Sequence, residues 1–66
     1  MKKIGFIGAG NMATAIIDGI LRNDPTSADS ITVFDVITDK LEVMSKKGVS
    51  TTTSAKNVVE VSDITV

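Results

Sequence analysis

The residues best suited to chemistry are Gly8, Ala9, Gly10, Asn11, Met12 and Ala13, which together read G-x-G-x-x-A. Glycine weakens strands and helices alike, so its concentration here calls for a physical reason. Close approach of an anion supplies one. Gly8 can turn the chain sharply out of a strand, and Gly10, lacking a side chain, lets the backbone close on a pyrophosphate. Ala13 is small enough for a helix to lie tightly against that strand. The N–H groups at the helix start, with the helix dipole behind them, would then hold the phosphates. No G-K-[ST] follows, which excludes a mononucleotide P-loop. The bland alternative is that the glycines only make a tight strand-to-helix connection.

Asp35 belongs with this turn. It stands 25 residues past Gly10, near the spacing of about 20 at which an acidic residue ends the next strand and binds a ribose hydroxyl. Such a carboxylate favours NAD over NADP, because a 2′-phosphate carrying about −1.5 to −2 charges would be repelled. Val36 and Ile37 follow it, not an arginine, although Lys40 is close enough in sequence to reach a phosphate. The competing reading makes Asp35 a solvated residue that caps the turn before the next helix.

These residues need elements to hold them. Residues 4–7 form a short apolar run with one glycine, which suits a strand. From Met12 onward, Met12, Ile16 and Ile20 recur every four residues, as do Ala13, Ile17 and Leu21, while Thr14, Asp18 and Arg22 fall on the other side. That pattern predicts an amphipathic helix of about three turns. Residues 23–29, NDPTSAD, read as a loop. Residues 31–35, ITVFD, are rich in β-branched and aromatic types and predict a second strand. Thr38 is a suitable N-cap, with Asp39 in the first turn. Ile37, Leu41 and Met44 form an apolar stripe, Lys46 and Lys47 suit the helix end, and Gly48 suits a left-handed C-cap. Residues 49–52 suit a third strand, Ser54 can cap a short helix carrying Val58, Val59 and Val61, and residues 64–66 begin a fourth strand.

The fold expected is α/β, with the order β-α-β-α-β-α-β and a parallel, doubly wound sheet truncated at its fourth strand. Such a sheet needs cover on both faces. Residues 1–66 then form the N-terminal part of a dinucleotide-binding domain. Met12, Ile16, Ile20 and Met44 read as core residues and Asp18 as a solvated helix-face charge. Gly19, inside the first helix, costs about 1 kcal/mol relative to alanine, for which close helix packing is the expected compensation.

Composition narrows the function. With seven basic and eight acidic residues spread along the chain, net charge is −1, unlike the basic stripe that nucleic-acid binding needs. No apolar run is long enough for a membrane span, and a soluble, cytoplasmic protein is expected. No cysteine or histidine is present, so neither a disulfide nor a zinc site is credible. The carboxylates do not pair as acid and base, and with tyrosine also missing the usual nucleophiles and proton donors are nearly all absent. The chain reads as a binding site for NAD(P)H with no catalytic residue of its own.

The run KKIGFIGAGNMATAII, continued through ITVFD, DKLE, GV and VSDITV, closely resembles the N-terminus of the pyrroline-5-carboxylate reductases. Its specific part is GFIGAGNMA; related β-hydroxyacid dehydrogenases read more like GFIGLGxMG. The resemblance implies an N-terminal Rossmann domain followed by a helical substrate and dimerisation domain, and hence a homo-oligomer. It implies hydride transfer from NAD(P)H to the C=N bond of 1-pyrroline-5-carboxylate, giving L-proline. By position, it assigns the pyrophosphate to Ile7, Gly8, Ala9, Gly10, Asn11 and Met12, and the adenosine ribose to Asp35. Val36 stands where bacterial members often have arginine, which leans the cofactor toward NADH. Ala55 stands where many members carry an asparagine that meets the cofactor. Members continue past the fourth strand into an AVKP-like motif and the substrate helices, so this chain alone is expected to be inactive and marginally stable, with part of its sheet uncovered. A hydroxyacid or coenzyme F420-type oxidoreductase and a non-catalytic nucleotide-binding homologue are the alternatives.

Overall fold

Strand β1 (Ile4–Ile7) runs through the middle of the molecule because its neighbours arrive from both sides. The computed structural model describes residues 2–66. After β1 come α1 (Asn11–Asn23), a 3-10 helix (Pro25–Ser30), β2 (Ile31–Phe34), α2 (Thr38–Lys46), β3 (Ser50–Thr52), α3 (Ala55–Val61) and β4 (Ile64–Thr65). The four strands pair in parallel in the order β3-β2-β1-β4. The expected α/β class, the parallel sheet and the alternation of strands with helices all stand.

Side-chain alternation along the strands divides the sheet into two faces. On one face Phe6, Ile31 and Val33 are buried with Ile17 of α1, Leu41 and Met44 of α2, and Val49. On the other, α3 lies against β1 and brings Val58 down to full burial. Gly5 makes that approach possible. A Cβ built there would stand 2.6 Å from Val58 Cγ1 and closer still to Ser62 Oγ, a buried hydroxyl with no hydrogen-bond partner. Sequence reading gave Gly5 no role. Its place is fixed by the crossover, which no local pattern reveals.

Several local expectations are corrected. The 23–29 loop is in fact the end of α1 followed by the 3-10 helix, whose start is capped by Asp24: its carboxylate accepts from Thr26 N at 3.1 Å and from the Thr26 hydroxyl at 2.7 Å. Asp at the cap with Pro25 next is a helix-start signature. Thr38 is the first helical residue and not the cap; Ile37 holds that position and offers no side-chain bond. Ile37, Val59 and Val61 are exposed, so the stripes they were assigned to are narrower than the spacing suggested. Gly19 has no atom within 4 Å of a built Cβ, so close packing does not compensate for it among the described residues. Asp18 is not simply solvated: it accepts from Lys47 Nζ at 2.7 Å, joining α1 to the end of α2. Gly48 does take the left-handed conformation, with φ of +91°. No helix among the described residues is long and apolar enough to cross a membrane.

Candidate functional site

The glycine turn leaves β1 anchored on both flanks. Ile7 N donates to Val66 O at 2.9 Å and Gly8 N to Phe34 O at 2.8 Å. Gly8 then takes φ of +109°, a conformation that side chains strongly disfavour, so here glycine is required by the backbone itself. Ala9 turns inward and is buried in the core. Its N–H donates to Asp35 Oδ2 at 3.0 Å.

Gly10 caps α1 with extended dihedrals, φ −80° and ψ −170°, which any residue can adopt. A Cβ added there would meet nothing within 4 Å. Neither backbone geometry nor packing therefore demands glycine at this position, whereas a ligand resting on the turn would. The helix behind it is also open to an anion. Among the described residues no side chain caps α1, no acidic residue lies in its first turn, and its first backbone bond is Thr14 N to Gly10 O at 2.9 Å. The N–H groups of Asn11, Met12 and Ala13 thus precede any intrahelical acceptor and stand at the positive end of the dipole.

A groove of about 350 Å³ opens beside this turn. Gly8, Gly10, Asn11, Met12 and Ala13 form one wall, and Phe6, Ile7, Ile16 and Val66 make the rest apolar. It lies at the carboxyl ends of β1 and β4, where the strand order reverses direction, which is the place where ligands bind in open α/β sheets. Met12 and Ile16, read from spacing as core, are respectively 77% and 39% exposed and border the groove. Sequence reasoning missed Val66 as a groove residue, because only the β1–β4 pairing brings it there. Ile16 was findable: it lies one helical turn beyond Met12 on the same face.

The residues expected to form the site come together unevenly. Ile7, Gly8, Gly10, Asn11 and Met12 border the groove. Ala9 does not, since its side chain is buried and its N–H engaged. Asp35 stands beside the turn through its bond to Ala9, and its other oxygen, Oδ1, accepts from Ile37 N at 2.9 Å. These two backbone N–H groups, Ile37 first and Ala9 second, hold its carboxyl below the usual carboxylate range against a small opposing effect of burial, and the charge of Lys40 assists. The capping reading of Asp35 holds, since it organises the turn before α2, and the same side chain is also tied to the glycine turn. Among the described residues no cluster of acidic groups could hold a metal ion.

The open N-terminus of α1, the unfilled space at Gly10 and the apolar groove at the strand ends fit the pyrophosphate and flat rings of a dinucleotide. Comparison with known proteins agrees with that geometry. Residues 3–66 match the family described as NADP oxidoreductase, coenzyme F420-dependent. A pyrroline-5-carboxylate reductase of Escherichia coli (strain K12) is 36% identical over 64 residues, 96% of this chain and 24% of that protein. One from Pasteurella multocida (strain Pm70) is 42% identical over 67 residues, again 96% of this chain and 24% of the relative. Among solved structures, a pyrroline-5-carboxylate reductase from Coxiella burnetii superposes with a TM-score of 0.91 at 34% identity, covering 97% of this chain and 24% of that one. The chain thus spans about a quarter of the length of the relatives it matches.

Proposed function

The chain belongs to the NADP oxidoreductase, coenzyme F420-dependent, family, and on that premise we propose that it is the N-terminal part of the dinucleotide-binding domain of a pyrroline-5-carboxylate reductase. The observation that carries this reading is the turn at Gly8–Gly10, which delivers an uncapped helix N-terminus to the switch point of the sheet with no side chain in the way. The bound dinucleotide would supply the hydride that reduces the C=N bond of 1-pyrroline-5-carboxylate to L-proline.

This chain's residues have binding roles. Gly8 and Gly10 shape the turn, and the N–H groups of Asn11 and Met12 offer donors to the pyrophosphate. Ile7 and Ile16 wall the apolar side. Each Asp35 oxygen accepts one backbone N–H and retains acceptor capacity for a ribose hydroxyl. With Val36 and not a cation after it, the charge of Asp35 favours NADH over NADPH. The intact protein is a cytoplasmic homo-oligomer that takes its substrate from further chain, and residues 1–66 alone are inactive.

Titration of the intact protein with NADH and NADPH, followed by assay of L-proline formation from 1-pyrroline-5-carboxylate, tests the proposal. Saturable binding with NADH tighter and proline formed is expected. Binding of neither nucleotide would overturn it. The family's description favours one other reading, a reductase that exchanges hydride between NADP and coenzyme F420. Turnover with F420 and NADP, without reduction of 1-pyrroline-5-carboxylate, would establish that reading instead.

A further inference from the structure

We propose that Asp35 is a positioning residue for the glycine turn itself, so that its loss weakens binding of every dinucleotide and not only of those with a free 2′-hydroxyl. This inference rests on the dinucleotide reading above and gives Asp35 a second task within it.

Besides the Ala9 methyl, which is buried in the core, the turn has few anchors. Gly8 and Gly10 flank Ala9, so on either side of it the backbone lacks the steric restraint that side chains impose. The backbone ties stop at Gly8 N, bonded to Phe34 O, and resume at Thr14 N, bonded to Gly10 O. Between them the Ala9 N–H donates to a side chain 26 residues away, just past the end of β2, Asp35 Oδ2 at 3.0 Å. The same carboxylate is itself fixed by Ile37 N at 2.9 Å. It therefore spans the two turns that would meet the pyrophosphate and the ribose, the one after β1 and the one after β2. Bonds from N–H groups to an ionised acceptor are about twice as strong as neutral ones. An asparagine cannot replace it, because its single acceptor oxygen serves one N–H while its amide group presents donors to the other.

Asp63 makes a similar tie at the opposite end of β1, where its carboxylate accepts Lys3 N at 2.9 Å. A carboxylate bonded to the N–H of a distant backbone segment thus recurs in this chain. At Asp35 it falls on the peptide that sets where the helix N-terminus begins.

The two roles of Asp35 give opposite signs for NADPH. Were the carboxylate only a ribose ligand that repels a 2′-phosphate, Asp35→Asn would weaken NADH and leave NADPH unchanged or tighter. If it positions the turn, both weaken. Binding of NADH and NADPH to the intact protein, wild type and Asp35→Asn, separates them. The expected result is a loss of at least about tenfold for each nucleotide, with the strand amides of Phe6 and Val33 still protected from exchange. NADPH unchanged or tightened overturns the proposal. Wild type binding neither nucleotide overturns the dinucleotide reading, and this proposal with it. Exchange of the Ala9 amide in the wild-type protein decides independently of any variant. Slowing of at least about tenfold against an unstructured alanine is expected, and free exchange overturns the proposal.

Discussion

Two isoleucines flank Ile4 at the same register, Ile31 on β2 and Ile64 on β4. They share residue type, pairing partner and sheet face, yet Ile31 is 0% exposed and Ile64 48%. What differs is cover. On the β2 side, α1 and α2 press Ile17, Leu41 and Met44 onto the sheet, whereas Ile64 and Val66 lie outside that cluster. Burial in this chain follows what stacks above a strand, and hydropathy alone would treat the two positions alike. The boundary between the covered and the open half is where the groove lies, with Phe6 on one side and Val66 on the other. A well-packed half thus presents the glycine turn, and the open half leaves room beside it.

The sharpest way to break this comparison is to truncate both isoleucines in the 66-residue chain. Ile31→Ala is expected to cost about 2–5 kcal/mol, enough to unfold a chain whose core supplies roughly 3–5 kcal/mol. Ile64→Ala should stay within about 1 kcal/mol in urea denaturation. Equal losses would show that the open half is packed after all. Next in size, Gly5→Ala drives a methyl into Val58 and Ser62 and should cost about 1–3 kcal/mol, while Gly10→Ala, which meets nothing, should leave the denaturation midpoint nearly unchanged.

Acid sharpens the comparison at the turn. The carboxyl of Asp35 is held below its ordinary value, chiefly by the Ile37 N–H and then by that of Ala9. A lowered carboxylate contributes stability that is complete above the unfolded value of about 3.9 and is lost as pH falls through the lower, folded one. Stability of the chain should therefore decline with acid below about pH 4, and Asp35→Asn should flatten that decline. Asp24, lowered chiefly by the Thr26 hydroxyl, contributes in the same direction and would account for any decline the variant retains. The smallest effect belongs to the half-exposed Asp18–Lys47 pair. Lys47→Gln should cost about 0.2–1 kcal/mol, and less in high salt.

Much of this was legible in the sequence. β-branched runs marked the strands, the i, i+4 repeats marked α1, Gly8 announced a sharp turn and Gly48 a left-handed cap. The parallel order followed from strands alternating with helices. What stayed hidden depends on contacts between distant residues. Gly5 matters only because α3 crosses β1, and Val66 joins the groove only through its pairing beside Ile7. Met12 and Ile16 carry core-like side chains, but the face they occupy looks onto the groove. Thr38 lost the cap because the preceding turn is held by Asp35, whose oxygen takes the Ile37 N–H. Of the candidate site, the turn and its acidic partner were readable from spacing, whereas the bond joining them was not.

If the space over Gly10 exists for a dinucleotide, a side chain placed there must exclude it. The most direct test is titration of the intact Gly10→Val protein with NADH, beside wild type and with the fold of each checked by circular dichroism. Wild type is expected to bind saturably and a folded Gly10→Val variant not at all. A folded variant that binds NADH as tightly as wild type would contradict that expectation.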